Sequence, residues 1–142
     1  MSLRCLIVDD EPLARRGLRH RLALLEGLEV VAEASNGREA LAAIAEHAPD
    51  LMFLDIQMPG VDGFGLLQSL PVSEWPMVIF VTAYDQYALE AFRVHAIDYL
   101  LKPVEDERLR EAVQRARRLK TQEDMEAEHA RLLALMGKDR LP

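Results

Sequence analysis

The sequence of 142 residues is poor in cysteine, in long apolar runs and in targeting signals. Its only cysteine, Cys5, cannot form an internal disulfide, which favours a reducing compartment. The longest stretch without a charged residue spans eleven positions, 63–73, whereas a transmembrane helix needs about twenty. The basic start, apolar stretch and cleavage site of a secretory signal are missing. We therefore expect a cytoplasmic protein with no membrane span.

Positive charge is also scarce, since the formal net charge at pH 7 is −7. Residues 1–103 carry 15 acidic and 8 basic side chains, whereas residues 104–142 carry 9 of each. An acidic surface repels nucleic acid, so we expect no direct DNA binding by this chain. Half of the residues are hydrophobic and 29% are charged, which is the composition of a folded globular domain.

Several enzyme motifs are absent from the sequence. Neither a P-loop nor a G-x-S-x-G pattern occurs, which argues against a nucleoside triphosphatase and against a serine hydrolase. The four histidines do not have the spacing of metal ligands, so we expect no histidine-bound metal.

Short apolar segments alternate with segments of helical periodicity along the chain. Five strands are predicted, at residues 3–8, 29–34, 51–55, 77–82 and 98–101. A helix is predicted after each strand, and the last one begins at about Asp106. The strands are apolar throughout instead of alternating with polar residues, which indicates burial on both faces. The pattern predicts an α/β fold, a parallel sheet between two layers of helices.

Polar side chains stand where these strands end. They are Asp9 and Asp10 after the first strand, Asp55 at the end of the third, Thr82 at the end of the fourth and Lys102 after the fifth. Taken singly, each residue could be a helix cap, a turn residue or an exposed side chain. Ligand sites in parallel sheets lie beyond the carboxyl ends of the strands, so we expect these five side chains to meet there.

Three carboxylates in close contact repel one another unless they share a proton or hold a cation. Hard oxygen ligands favour Mg²⁺, and a carboxylate beside Mg²⁺ can act as a nucleophile toward phosphorus. The ammonium of Lys102 and the hydroxyl of Thr82 are suited to neutralise and hydrogen-bond phosphoryl oxygens. These residues therefore predict phosphoryl transfer to an aspartate.

Four segments resemble the receiver domain of two-component response regulators. They are CLIVDDEPLAR (5–15), LMFLDIQMPGVDGF (51–64), VIFVTAYDQYALEAF (78–92) and AIDYLLKPV (96–104). The resemblance spans residues 1–120 and implies a flavodoxin-like, doubly wound sheet of strand order 2-1-3-4-5 with five helices. The sequence of residues 82–104 is most similar to that of regulators with a LytTR-type DNA-binding output domain. Residues 121–142 are expected to be a helical tail or the start of an interdomain linker, with residues 138–142 disordered.

The resemblance implies a magnesium-dependent phosphorylation site. Asp55 would accept the phosphoryl group. Asp10 and Asp55 would bind Mg²⁺ directly, together with the backbone carbonyl of Gln57, and Asp9 would act through a water molecule. The protein would be a signalling phosphoacceptor that catalyses its own phosphorylation and dephosphorylation.

The resemblance also implies a conformational switch. Thr82 and Lys102 would contact the phosphoryl group, and the ring of Tyr99 would turn inward as Thr82 moves. Ala83 is small, as access to the site requires, and the peptide between Lys102 and Pro103 is expected to be cis, a form that needs proline.

Two further residues, Gln57 and Tyr84, lie where the family tunes its rate of dephosphorylation. A large side chain at Tyr84 would shield the phosphoryl group from water.

The implied partners are a sensor histidine kinase or a phosphotransfer protein, and a second copy that docks on the face of the fourth helix, fifth strand and fifth helix. Within that face we expect Ala88, Leu89 and Phe92 to belong mostly to the core.

Three alternatives stay open. The chain is either a fragment of a longer regulator or a stand-alone receiver. A receiver that is never phosphorylated could serve as a docking module, although the full set of site residues counts against it. A Mg²⁺-dependent phosphohydrolase could use the same aspartate, but no second acid follows Asp55 by two residues and no cap insertion is apparent.

Overall fold

The computed structural model describes the backbone of residues 2–140 and the side chains up to residue 137. The strands are β1 (Leu3–Val8), β2 (Leu28–Ala34), β3 (Leu51–Leu54), β4 (Met77–Thr82) and β5 (Asp98–Leu101). The helices are α1 (Pro12–Ala23), α2 (Gly37–His47), α3 (Gly63–Gln68), α4 (Ala88–Arg93) and α5 (Asp106–Arg140). A 3₁₀ turn, Val72–Glu74, precedes β4.

The five strands form one parallel sheet in the order β2-β1-β3-β4-β5. Both the alternation of elements and the strand order agree with the prediction. The predicted bounds differ in detail, because β2 begins one residue earlier and β3 ends one residue before Asp55.

The sheet is buried on both faces, which explains its continuously apolar strands. Successive side chains of a strand point to opposite faces. Accordingly, Leu6 and Val8 of β1 pack in the core on one side, while Cys5 and Ile7 pack in the core on the other. The two cores hold the helices against the two faces of the sheet.

The fourth helix departs from the prediction, because α4 has six residues and buries only Ala91. Leu89 is 63% exposed and Phe92 is 77% exposed, so the expectation that they belong to the core is wrong. The helix ends at Arg93, and His95, two residues later, takes a positive φ of 60°. A helix of fewer than two turns can bury one narrow face, and here the small Ala91 occupies that face.

The fifth helix has no break at residue 120 and reaches Arg140. It packs on the sheet through Leu109, Ala112, Val113 and Ala116, and its side chains at residues 121–137 are almost all exposed. The division into residues 1–120 and 121–142 stays a prediction. The disorder expected at the end concerns in part Leu141 and Pro142, which lie outside the described residues.

Among residues 2–140, no helix combines the length and the apolar character needed to cross a bilayer.

The thiol of Cys5 offers a test of the packing around β1. Cys5 is fully buried, and burial, followed by the nearby carboxylate of Asp50, raises the pKa of the thiol to about 12. We expect a thiol reagent at neutral pH to leave the native protein unmodified and to label one cysteine per chain after denaturation. Rapid labelling of native protein would contradict this packing.

The same burial predicts a dependence of stability on pH. The unfolded thiol ionises near its ordinary value of 9.0, whereas the folded thiol stays protonated to about 12. The folded state therefore binds the proton more tightly and loses stability as the pH rises from about 9. Cys5→Ala should flatten this alkaline loss in the free energy of unfolding.

Candidate functional site

Two aspartates stand directly beyond neighbouring strands at one edge of the sheet. Asp9 follows β1 and donates its backbone N–H to the carbonyl of Ala34 at 3.0 Å. Asp55 follows β3 and donates its backbone N–H to the carbonyl of Val8 at 2.9 Å. These bonds continue the hydrogen-bond ladder of the sheet by one residue. The two carboxylates therefore lie next to each other, directly beyond the ends of β1 and β3.

A third carboxylate completes a cluster with these two. Asp9, Asp10 and Asp55 each offer one oxygen, and these oxygens all lie within 4.8 Å of one another. Asp9 is 6% exposed and Asp55 is 5% exposed, whereas Asp10 is partly exposed. Asp10 is thus the most solvent-accessible of the three carboxylates.

Lys102 supplies the balancing positive charge. Its Nζ donates to Asp9 Oδ2 at 2.7 Å and to Asp55 Oδ2 at 3.2 Å, and it lies 3.7 Å from Glu11 Oε1. The backbone N–H of Lys102 bonds to the carbonyl of Thr82 at 2.8 Å, which fixes the start of the side chain beside β4. The peptide between Lys102 and Pro103 is cis, as the resemblance implied.

The electrostatics of the cluster oppose a charged Asp55. Burial and the neighbouring charge of Asp9 raise the pKa of Asp55 above its ordinary value, although the ammonium of Lys102 acts in the opposite direction. For Lys102, burial lowers the pKa, but the hydrogen bond to Asp9 and the charge of Asp55 outweigh it and raise the pKa above the ordinary range. The ammonium therefore stays charged.

One carboxylate oxygen of Asp55, the candidate phosphoryl acceptor, has no hydrogen-bond partner among the described residues. Within the described part of the chain, Asp55 Oδ1 is buried and has no hydrogen-bond partner. A buried unpartnered carboxylate oxygen is costly unless another group binds it. Three clustered carboxylates are hard oxygen donors, so the residues present fit a metal ion.

The loop after β4 places three predicted residues at the same edge. Thr82 is fully buried, and its Oγ1 accepts a long hydrogen bond, 3.4 Å, from the backbone N–H of Tyr84. Ala83 and Tyr84 are exposed, with Tyr84 42% exposed. The structure thus brings Thr82 to the sheet edge that carries the carboxylates.

Tyr99 and Gln57 both contact the loop that follows β4. The hydroxyl of Tyr99 donates to the backbone carbonyl of Tyr84, and its ring packs against Phe80 with centroids 6.2 Å apart. Gln57 is exposed, and its Nε2 donates to the hydroxyl of Tyr87 at 2.8 Å. The roles assigned to Gln57, Tyr84 and Tyr99 stay predictions.

Sequence reasoning missed two residues that shape this site. A Cβ at Gly63 would lie 2.8 Å from the carbonyl oxygen of Asp55, so only glycine lets α3 begin this close to the acceptor loop. Tyr87 holds the Gln57 side chain. Only Gly63 carried a signal, as a glycine at a predicted helix start, because long-range contacts of a tyrosine leave no local pattern.

Comparison with known families assigns residues 5–114 to the response regulator receiver domain. The chain belongs to this family. Receiver domains are signalling phosphoacceptors rather than classical enzymes, and they interact with histidine kinases or phosphotransfer proteins.

Relatives among curated proteins include transcriptional regulators. The transcriptional regulatory protein BtsR of Salmonella typhi is 44% identical over 123 residues, which cover 87% of this chain and 52% of that protein. An uncharacterised response regulatory protein of Vibrio vulnificus is 44% identical over 140 residues, 99% of this chain and 57% of that protein. The chain thus spans about half the length of the curated relatives it matches.

Solved structures share the fold. The receiver domain of AraT, a response regulator from Geobacillus stearothermophilus, is 37% identical with a TM-score of 0.74, covering 87% of this chain and 99% of that one. A chain of the CheX–CheY complex with BeF₃ and Mg²⁺ from Borrelia burgdorferi is 26% identical with a TM-score of 0.70, covering 78% and 86%.

The crowding of carboxylates predicts that Asp55→Asn stabilises the protein in the presence of a chelator. The raised pKa of Asp55 means that the folded state favours its protonated form, so the charged form costs stability at neutral pH. A gain of about 1 kcal/mol would raise the thermal midpoint by roughly 4 °C.

The gain should shrink as the pH falls toward about 4, where an aspartate in the unfolded chain is also protonated. Glu74→Gln, the same change at an exposed carboxylate, is the matched control. A lower midpoint for Asp55→Asn at neutral pH would show that its contact with Lys102 outweighs the repulsion.

Proposed function

We propose that this chain is a phosphorylation-controlled switch, in which Asp55 accepts a phosphoryl group from a phosphohistidine of a sensor histidine kinase or a phosphotransfer protein. The observation that carries the proposal is the setting of Asp55. It lies beside two carboxylates, with Lys102 Nζ at 3.2 Å from one oxygen and the other oxygen free of hydrogen bonds within the described residues.

We assign Mg²⁺ to the carboxylate cluster. Asp10, Asp55 and the backbone carbonyl of Gln57 would bind it, with Asp9 acting through water. The bound ion would neutralise charge on the phosphoryl oxygens. The oxygen-only donor set supports this choice, and so does the magnesium named for the related Borrelia complex.

The chain's own residues account for the transfer. An oxygen of Asp55 attacks phosphorus, the phosphorus–nitrogen bond of the donor breaks, and the imidazole leaves and takes up a proton. Lys102 keeps its proton through the transfer, since its pKa is raised, and stabilises charge on the phosphoryl oxygens. Ala83 leaves room for the donor to approach.

The aspartyl phosphate would bias two states of the domain. The hydroxyl of Thr82 would move toward the phosphoryl group, and Tyr99 would follow. Because Tyr99 is bonded to the Tyr84 carbonyl, its movement would alter the loop that leads into α4. The shift is limited by the difference in phosphoryl contacts between the two states.

The face of α4, β5 and α5 is the proposed output surface. It presents Leu89, Phe92 and Leu101, at 63%, 77% and 46% exposure. Large exposed apolar patches are typical of protein interfaces, and these three side chains lie on the elements that form this face. We propose that phosphorylation promotes a homodimer through this face.

The remainder of the regulator is proposed to be a LytTR-type DNA-binding domain that controls transcription. Support comes from the sequence of residues 82–104 and from BtsR, a transcriptional regulatory protein of which the match to this chain covers 52%. The acidic receiver itself suits signal reception rather than DNA binding.

Incubation with acetyl phosphate tests the acceptor directly. We expect intact-protein mass to show a single phosphoryl adduct on the wild type when Mg²⁺ is present, and none in chelator. Asp55→Asn should give no adduct, whereas Asp85→Asn, the same change at an exposed aspartate, should behave as wild type.

The outcomes separate the competing functions. An adduct that survives Asp55→Asn would place the acceptor elsewhere. Wild-type protein that stays unmodified by acetyl phosphate and by a panel of kinases would favour the docking module. Steady release of phosphate from a phosphomonoester would favour a phosphohydrolase.

If Tyr84 shields the phosphoryl group from water, the aspartyl phosphate should have a longer half-life in the wild type than in a variant with a small side chain at this position. Tyr84 is the large exposed side chain beside Thr82. We expect Tyr84→Ala to shorten the half-life of the aspartyl phosphate severalfold, because water reaches phosphorus more easily, and Tyr84→Phe to preserve it. Loss of the mass adduct with time measures both, and an unchanged half-life in Tyr84→Ala would refute the shielding.

A further inference from the structure

The fifth helix carries two apolar stripes, and only the first is covered. The first stripe, formed by Leu109, Ala112, Val113 and Ala116, packs on the sheet. The second stripe lies beyond Lys120, where the described side chains are almost all exposed. Met125 is 67% exposed, Leu132 47%, and Met136 49%.

The two stripes lie on opposite sides of the helix. Leu109 and Met125 are separated by sixteen residues, as are Val113 and His129. Sixteen residues of an α-helix make four full turns plus roughly 160°. Two side chains that far apart therefore point in nearly opposite directions. The second stripe therefore points away from the sheet that the first one covers, and the chain's own receiver core cannot bury it.

The spacing of the second stripe is that of a helix pair. Gln122, Met125, His129, Leu132 and Met136 follow one another at intervals of three, four, three and four residues. This is the heptad alternation that places one side chain after another on a seam between two helices. We call these five residues the tail seam. Leu133 and Leu135 flank it and widen the apolar face.

Several polar side chains in and beside the tail seam bond to neighbours along their own helix. Lys120 lies 3.3 Å from Asp124, Gln122 donates to Glu126 at 3.1 Å, and Arg131 bonds to Glu128 at 2.5 Å. The five seam residues carry no acidic, lysine or arginine side chain. Two copies of the seam can therefore approach without placing a carboxylate, ammonium or guanidinium group of one seam residue against the same group of the other.

The length of the projecting segment also calls for a partner. Residues 121–140 form about 30 Å of helix, and helices in proteins draw most of their stability from the packing of an apolar face. The alignment with the Vibrio vulnificus relative runs over 140 residues and so extends through this segment, and that relative's chain is longer still. The segment thus occupies the position of a connector, where pairing would bring two copies together.

We propose that the tail seam pairs with the tail seam of a second copy, forming a two-helix coiled coil. This contact is separate from the face of α4, β5 and α5. It uses no residue of the carboxylate cluster, and it holds whether or not Asp55 is phosphorylated.

The mass of the protein in solution tests the proposal. We measure it by sedimentation velocity and by light scattering after gel filtration, in the absence of acetyl phosphate and over a wide range of concentration. The wild-type chain should approach twice the mass of one chain, 16.1 kDa, at high concentration. Leu132→Glu should halve that mass, because it places two carboxylates on the seam, and the ellipticity at 222 nm should fall with it.

Matched variants locate the contact. Ala127→Glu introduces the same side chain on the far side of the same helix and should leave the dimer intact. Phe92→Glu, on the face of α4, should leave it intact as well. Protection of Cys5 from a thiol reagent shows in each variant that the receiver remains folded.

The results that would overturn the pairing are distinct from those that would overturn the phosphorylation switch. A mass of 16.1 kDa at every concentration refutes the tail pair. A dimer that survives Leu132→Glu or is lost in Phe92→Glu refutes it too. Failure of the acetyl phosphate experiment with an intact, Leu132-dependent dimer would remove the switch and leave the tail pair standing.

Discussion

The contact of Lys102 with Asp9 and Asp55 is the interaction on which the rest of the site depends. It joins the fifth strand to the first and third at the edge where their backbones end. Without the ammonium, two buried carboxylates would face each other uncompensated, and leaving a buried charge unpaired costs about 3–5 kcal/mol. Within the described residues the other oxygen of Asp55 has no hydrogen-bond partner, which keeps the acceptor available.

The parallel sheet makes that contact possible. All five strands end at one edge, so residues far apart in sequence meet without any of them being on a long loop. Gly63 allows α3 to begin against the carbonyl of Asp55, which holds the acceptor loop close to the sheet. On the other side, the short α4 buries only Ala91 and leaves Leu89 and Phe92 exposed. A closely packed acceptor loop and a helix that buries little of its surface suit a domain in which chemistry at one place alters a surface at another.

The fifth helix carries two apolar faces, one that packs on the sheet and one that is exposed. Its first half closes the core on the sheet, and its second half presents an apolar seam rotated by roughly 160°. Pairing through the seam would hold two receivers near each other before any phosphoryl group arrives. Phosphorylation would then act within an existing dimer, by changing how the α4 faces of the two copies meet.

The sequence alone determined the α/β class, the parallel sheet and the residues that meet at its edge, because apolar periodicity is local and each key side chain directly follows a strand. Resemblance to receiver domains added the strand order and the cis peptide before Pro103, both of which the structure bears out. Tertiary structure alone decided that Leu89 and Phe92 face outward, that Gly63 lies against the acceptor and that Tyr87 holds Gln57. These features depend on how helices and strands pack against one another across the fold. The hydrophobicity pattern along the chain does not show which apolar face is covered by another element.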